Sequence, residues 1–334
     1  MQKKQYGVAI IGCGLIGNKR AQALGQDGRL VACADIDKNR ADGLASKYNA
    51  KVFTDWRELL KLQEVDIVII ATLHDMLAEI TSECINASKH VLVEKPAARS
   101  LSELEPVMSQ SEKSDVAVRV GFNHRYHRAL QSAKNIIDNG DLGELMFLRA
   151  RYGHGGRIGY DKEWRANSKI SGGGELIDQG PHLIDLSRWF LGEFSNISGF
   201  ANTYFWQMDV DDNAFLTLKT SKNQVAFLHV SCTEWKNLFS MEIYGKKGKL
   251  DISGLGGSYG VERLTFYKML PEMGPPETVS WEFPRKDESW EQEMNDFYED
   301  IRMNRKPTAG LKDAYEALLI INKVYKESGY DYWT

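Results

Sequence analysis

Asp178 and His182 lie four residues apart in the run Gly172-Gly173-Gly174-Glu175-Leu176-Ile177-Asp178-Gln179-Gly180-Pro181-His182-Leu183-Ile184-Asp185. On a helix that spacing puts both side chains on one face, with Asp185 three residues further along it. An imidazole beside a carboxylate is the usual equipment for moving protons near neutral pH. The competing reading is a hydrogen-bonded core histidine with a capping aspartate. Lys95 closes a second run, Val91-Leu92-Val93-Glu94-Lys95-Pro96, an apolar strand ending in a charged pair and a proline. In a doubly wound sheet, ligands bind beyond the carboxyl ends of the strands, which aims Lys95 at a ligand cleft. Otherwise Glu94 and Lys95 are an ordinary surface pair.

The third run is Gly12-Cys13-Gly14-Leu15-Ile16-Gly17. A lone GxGxxG is weak, but this one follows a strand and opens a helix, the context of a dinucleotide-binding turn. Gly12 permits the tight turn, Gly14 leaves room for a pyrophosphate, and Gly17 lets helix and strand pack closely. The helix N-terminus then offers free N–H groups, including those of Leu15 and Ile16, to the phosphates. Asp35 ends the next strand, eighteen positions beyond Gly17. A carboxylate there accepts from ribose hydroxyls and repels a 2′-phosphate, favouring NAD over NADP. Asp37 is a rival for that role, Asp35 could instead cap the following turn, and Arg40 could serve a 2′-phosphate or stack on adenine.

These residues need elements to hold them. The first third alternates short apolar strands (7–11, 30–34, 51–53, 65–71, 90–93 and 116–121) with helical segments, the pattern of a parallel sheet covered on both faces. Beyond 122 a helix is expected at 123–138. Strands with one solvated face follow at 144–152, 196–205, 212–220, 224–233, 240–244, 249–252 and 264–268. A helix over 175–191 interrupts them, and two more, at 290–304 and 312–328, close the chain. The expected fold is therefore α/β: an N-terminal Rossmann doubly wound parallel sheet (1–122), followed by an α+β domain with a large, mainly antiparallel open sheet (123–334). The C-terminal helices are free to pack back on the first domain.

Composition fits such a chain. Its 334 residues suit two domains, and 43% hydrophobic with 26% charged residues argues against disorder. A net charge of −4 gives no sign of a nucleic-acid partner. Cys13, Cys33, Cys84 and Cys232 are scattered without metal-type spacing, so no metal is expected and a reducing cytoplasm fits. No stretch reads as a secretory leader or reaches the ~20 apolar residues of a membrane span.

The glycine turn, the Glu94-Lys95-Pro96 triplet and the glycine-rich segment ending in Asp178-x-x-x-His182 have the order and spacing of the Gfo/Idh/MocA oxidoreductases. The chain resembles that family along its whole length, including Gly121-Phe122-Asn123-His124-Arg125-Tyr126. The resemblance implies an NAD(P)-dependent dehydrogenase acting on a secondary alcohol of a sugar, sugar acid, nucleotide sugar or cyclitol. It also implies assembly as a homodimer or homotetramer through the second sheet. Lys95, Asp178 and His182 would be the catalytic set, Glu94 and Lys95 would line the cofactor cleft, and Arg125 and Tyr126 would lie near the substrate. One departure stands out: Ala71-Thr72, at the cofactor loop, is followed by Leu73 where many members have proline, and Leu77 takes the place of a histidine. His74, three positions earlier, is not its equivalent. Among the residues of 152–165, Tyr160 or Trp164 could stack on a sugar face, while His154, Arg157 and Arg165 could hold an anion. This abundance of cations suggests an anionic or nucleotide-linked sugar. Two alternatives stay open: a glycoside hydrolase that retains NAD, and a catalytically silent NAD-binding regulator.

Overall fold

The computed structural model describes residues 5–332. Its contacts define two compact units, one of residues up to 123 together with 290–316, the other of 124–289 with 317 onward. The first unit is built on six parallel strands, β1 (Tyr6–Ile11), β2 (Gly28–Ala34), β3 (Lys51–Phe53), β4 (Ile67–Ile70), β5 (His90–Val93) and β6 (Val118–Val120). They lie in the order β3-β2-β1-β4-β5-β6. Between them run α1 (Leu15–Gln22), α2 (Lys38–Tyr48), α3 (Trp56–Leu60), α4 (His74–Asn86) and α5 (Leu101–Glu112). Val8, Ile67, Ile69, Val91 and Leu92 are fully buried, which is why these strands show no polar alternation. The strand order reverses between β1 and β4, and the turns that leave those two strands carry Gly12 and Ala71.

The second unit opens with α6 (Arg128–Asp138), β7 (Leu145–Gly153), α7 (Ser168–Ser171), α8 (Glu175–Asp178) and α9 (Gly180–Leu191). Seven strands follow: β8 (Phe194–Asn202), β9 (Asn213–Thr220), β10 (Val225–Ser231), β11 (Leu238–Gly245), β12 (Gly248–Ser253), β13 (Glu262–Lys268) and β14 (Glu277–Phe283). The eight-stranded sheet runs β14-β13-β12-β11-β7-β10-β9-β8 and is antiparallel except where β7 pairs with β10. Helices α6, α8 and α9 pack on the sheet, over a face that buries Leu148, Ala150, Leu216, Leu228 and Ile243. The opposite face presents Phe200 and Phe227 to solvent among Arg149, Glu242 and Lys249. After β14 come α10 (Ser289–Arg302) and α11 (Leu311–Glu327). Met294, Phe297 and Tyr298 of α10 belong to the same core as Val8, Ile10, Leu30 and Ile67.

Three elements depart from the sequence expectation. The helix expected over 123–138 begins as a 3-10 turn, Asn123–Tyr126, and restarts at α6 after His127, which is extended. The helix expected over 175–191 is interrupted at Gln179, because Pro181 has no N–H for an α-helical bond and restricts Gly180 before it. Strand β14 was not foreseen. It is an exposed edge strand with no buried face, so it leaves no alternation to read. No helix among the described residues is long and apolar enough to cross a membrane.

Candidate active site

The glycine turn of the first unit has the form a dinucleotide needs. Gly12 sits at φ +94°, and a Cβ there would come within 2.4 Å of the Ala71 carbonyl oxygen. A Cβ on Gly17 would fall 2.0 Å from the Gly12 carbonyl oxygen, so α1 can approach β1 only with glycine at that position. Gly14 differs, since nothing lies within 4 Å of the Cβ it lacks. That open space lies at the N-terminus of α1, where Leu15 is three-quarters exposed. A backbone that leaves room at this one position, with unused N–H groups behind it, fits a pyrophosphate. The Asp35 carboxylate accepts from the Cys13 N–H (2.8 Å) and the Asp37 N–H (2.9 Å), tying the glycine turn to the end of β2. Asp37, its sequence rival, caps α2 by accepting from the Asn39 N–H. Arg40 is exposed, 3.4 Å from the Asp37 carboxylate. Thr72 donates to the Leu73 carbonyl oxygen, Leu77 is a core residue of α4, and His74 is buried at the start of that helix. All four cysteines are free thiols and buried.

Lys95 follows β5 on a cis Lys95–Pro96 peptide and is partly exposed. Glu94, expected at the cofactor, is buried instead, and its carboxylate receives the Arg20 guanidinium of α1 at 2.7 Å. Arg20 also pairs with the fully buried Glu293 of α10. Its guanidinium lies over the Trp290 ring, 4.4 Å from the centroid. A Cβ on Gly121 would lie 2.6 Å from Arg20 Nη2, so the glycine makes space for the pair. Glu94 is thus a strut between α1 and the Lys95 turn.

The second unit gathers buried carboxylates and imidazoles. Asp178 ends α8 and His182 lies in the first turn of α9, both buried. Arg165 Nε donates to Asp178 Oδ2 at 2.8 Å, and the Asp178 charge, against partial burial, holds the guanidinium above its usual range. The face of His182 stacks on His124, with centroids 3.8 Å apart and planes at 24°. Glu175 lies one helical turn before Asp178 and is buried. The Tyr160 hydroxyl donates to it at 3.3 Å, and His154 Nε2 lies 3.6 Å from it. Burial opposes charge on His154, but Glu175 and then Asp178 outweigh it and raise its pKa. Burial, then the charges of Glu175 and Asp178, push the Tyr160 phenol far up, so it serves as a donor. The glycine run before α8 exists because the chain must pass close to other groups. A Cβ on Gly174 would lie 1.9 Å from the Asp211 carbonyl oxygen, and one on Gly173 would lie 2.3 Å from the Tyr325 hydroxyl. Asp211 accepts from the Gly174 N–H, the Leu176 N–H and the Tyr325 hydroxyl, which fixes the start of α8.

Several residues expected to touch substrate have partners within the protein. Arg125 is buried and forms a two-pronged pair with Asp185, 2.8 Å from Nε to Oδ2. Tyr160 is buried, edge-on to His154 and 5.6 Å from the Trp206 ring, so it packs the loop. Arg157 is exposed and pairs with Glu163 at 2.6 Å. Trp164 lies beneath the Arg165 guanidinium at 4.5 Å. Tyr126 is half-buried. The cations that suggested an anionic substrate therefore each have a carboxylate partner. Glu175, His124, Tyr152 and Tyr259 were not singled out from sequence. The Glu175–Asp178 spacing of three was visible, but the Tyr152 and Tyr259 rings, 5.5 Å apart, come from positions more than a hundred residues apart in sequence.

Two family models match the chain. Residues 6–122 match the oxidoreductase family with an NAD-binding Rossmann fold, and residues 130–251 match the GFO/IDH/MocA C-terminal domain. The chain is 24% identical over 325 residues to a myo-inositol 2-dehydrogenase of Thermotoga maritima, covering 94% of this chain and 93% of that one. It is 22% identical to a levoglucosan dehydrogenase of Pseudarthrobacter phenanthrenivorans, over 84% of this chain and 82% of that one. The structure of a levoglucosan dehydrogenase in complex with NADH and levoglucosan superposes with a TM-score of 0.87 at 22% identity, covering 98% of both chains. With both family models matched in order, and a doubly wound parallel sheet preceding a mainly antiparallel one, this chain belongs to the GFO/IDH/MocA family of NAD-binding oxidoreductases.

Proposed function

We propose that the protein is a dehydrogenase that oxidises, or forms, a secondary alcohol on an uncharged polyhydroxylated ring, a sugar or cyclitol, and prefers NAD to NADP. The observation that carries this reading is the buried Asp178–His182 pair, with Asp178 held by Arg165. A carboxylate fixed by a cation keeps its orientation, and an imidazole one turn away is suited to take or return a hydroxyl proton. In this reading Lys95 steadies the negative charge that develops on the substrate oxygen. Bound NAD supplies the hydride acceptor, held by the Gly12–Gly17 turn and by Asp35. The partnered state of Arg125, Arg157 and Arg165 supports a neutral ring over a sugar acid or nucleotide sugar, as do relatives named for inositol and levoglucosan.

The test is absorbance of NADH with a panel of cyclitols, anhydrosugars, hexoses, sugar acids and nucleotide sugars. Turnover should be highest with a neutral ring. His182→Ala should abolish it while NADH still binds. Release of a leaving group without net NADH would point to an NAD-retaining hydrolase. Full cellular function of His182→Ala would point to a binding protein. We further propose that the protein self-associates through the exposed sheet face bearing Phe200 and Phe227. Light scattering of the wild type and of Phe227→Lys should show loss of the oligomer in the variant.

A further inference from the structure

We infer that His124 is a positioning residue, a flat ring that fixes the plane of the His182 imidazole. The inference rests on the proposed role of His182 as the group that exchanges the substrate proton. His124 covers one face of His182 at 3.8 Å with planes 24° apart, and the Tyr152 ring meets His182 edge-on at 6.1 Å. A ring with one face covered and one side bounded cannot turn freely about its χ2 bond, so its two nitrogens keep their directions.

His124 can hold another ring because it is itself held. Tyr152 meets it edge-on at 5.1 Å, His127 at 5.4 Å with planes 70° apart, and Phe239 lies 6.1 Å away. His127 in turn lies 3.2 Å from Glu262 of β13, which also accepts from the Ala129 N–H at the start of α6. The chain Glu262, His127, His124, His182 thus runs from the sheet to α9 through ring contacts. The next residue repeats the attachment, since Arg125 grips Asp185 one turn beyond His182 on the same helix. The two neighbours His124 and Arg125 therefore fasten α9 at two points. Arg125 sets where the helix lies, and His124 sets how the imidazole faces. A proton acceptor displaced by about an ångström loses on the order of a hundredfold in rate, so a ring that prevents rotation has a measurable effect on kcat.

Two substitutions separate this role from simple filling of space. His124→Phe keeps a flat ring at the same place, and His124→Ala removes it. In steady-state assays with the best ring alcohol of the panel, His124→Ala should lose tenfold to a hundredfold in kcat with the KM values for NAD and alcohol within about threefold. His124→Phe should keep at least a third of wild-type kcat. A structural readout needs no substrate. In two-dimensional NMR of the imidazole protons, assigned with His182→Gln, the stacked ring current on His182 should vanish in His124→Ala and persist in His124→Phe. The inference is overturned if His124→Ala retains kcat within twofold, if His124→Phe is as impaired as His124→Ala, or if the His182 resonances are the same in all three proteins. If the wild type turns over no ring alcohol, the proposed function fails, and the NMR comparison still decides whether His124 orients His182.

Discussion

Replacing Gly14 with alanine should separate cofactor binding from folding. Gly14 has φ −71° and ψ −159°, so it lies outside the left-handed region that demands glycine. Its missing Cβ would meet no protein atom within 4 Å. The folded chain therefore accepts the methyl group, and the smaller entropy of the unfolded state adds about 0.4–1 kcal/mol in its favour. The cofactor-bound state does not accept it if the pyrophosphate lies over this residue. Forcing one methyl into an occupied contact costs about 1–3 kcal/mol, which corresponds to NADH binding weakened about 5- to 150-fold. Gly17→Ala provides the contrast. Its Cβ would fall 2.0 Å from the Gly12 carbonyl oxygen, so α1 must move away from β1, and stability and NADH affinity should fall together. NADH fluorescence titrations give the affinities, and thermal melts without nucleotide give the stabilities. If Gly14→Ala binds NADH within twofold of the wild type at an unchanged Tm, the open space beside Gly14 does not hold the pyrophosphate, and the reading of the turn is wrong.

Asp35→Ser should raise the ratio of NADPH to NADH affinity at least tenfold, and should lower stability by about 1–2 kcal/mol through the acceptor lost to the Cys13 N–H. Nucleotide titrations and urea melts read the two effects separately. Burial outweighs the three donors of Asp211 and pushes its carboxyl up to about 7 from an ordinary 3.8. The folded state then holds a proton that the unfolded state releases first. The stability contributed by Asp211 is accordingly full below about 4 and is lost as pH rises towards and through about 7. The Tm difference between wild type and Asp211→Asn should shrink across that window, and a difference that grows with pH would refute the assignment. Arg20→Met would leave Glu94 and Glu293 buried without their shared cation, and should cost about 3–5 kcal/mol in urea denaturation. A loss under 1 kcal/mol would show that the pair is not the strut described.

The fold was legible wherever burial leaves a pattern in the residues. The parallel sheet was readable because strands covered on both faces are apolar throughout, as in Ile67–Ile70. The second sheet was readable because its strands alternate, as in β11, whose residues are buried at every second position. Strand β14 was not, because an edge strand exposed along its whole length has no pattern tied to a core. The interruption at Gln179 leaves a signal in Gly180-Pro181, but the helical spacing across Asp178 and His182 masks it. Both residues still come out buried near the same turn, since a break of one residue shifts a helix without turning its face away.

The candidate site was legible in kind and less so in partnership. Residue types and local spacing single out a carboxylate with a nearby imidazole, a glycine turn and a lysine at a strand end. They do not show which charges are already spent. Arg125 and Asp185 are 60 residues apart, and Arg20 and Glu293 are 273 apart, so each reads in isolation as an available charge. A buried guanidinium must find a carboxylate, because an unpaired charge in the interior costs several kcal/mol. A cation near a site is therefore a candidate for binding an anion only after its partner is known. Applied here, that condition assigns the buried Arg125 to Asp185 and ties the partly buried Arg165 to Asp178, while the exposed Arg157 pairs with Glu163. That pairing is what the proposed neutral ring rests on, since each contact to its hydroxyl groups would be a hydrogen bond and none would require a free charge.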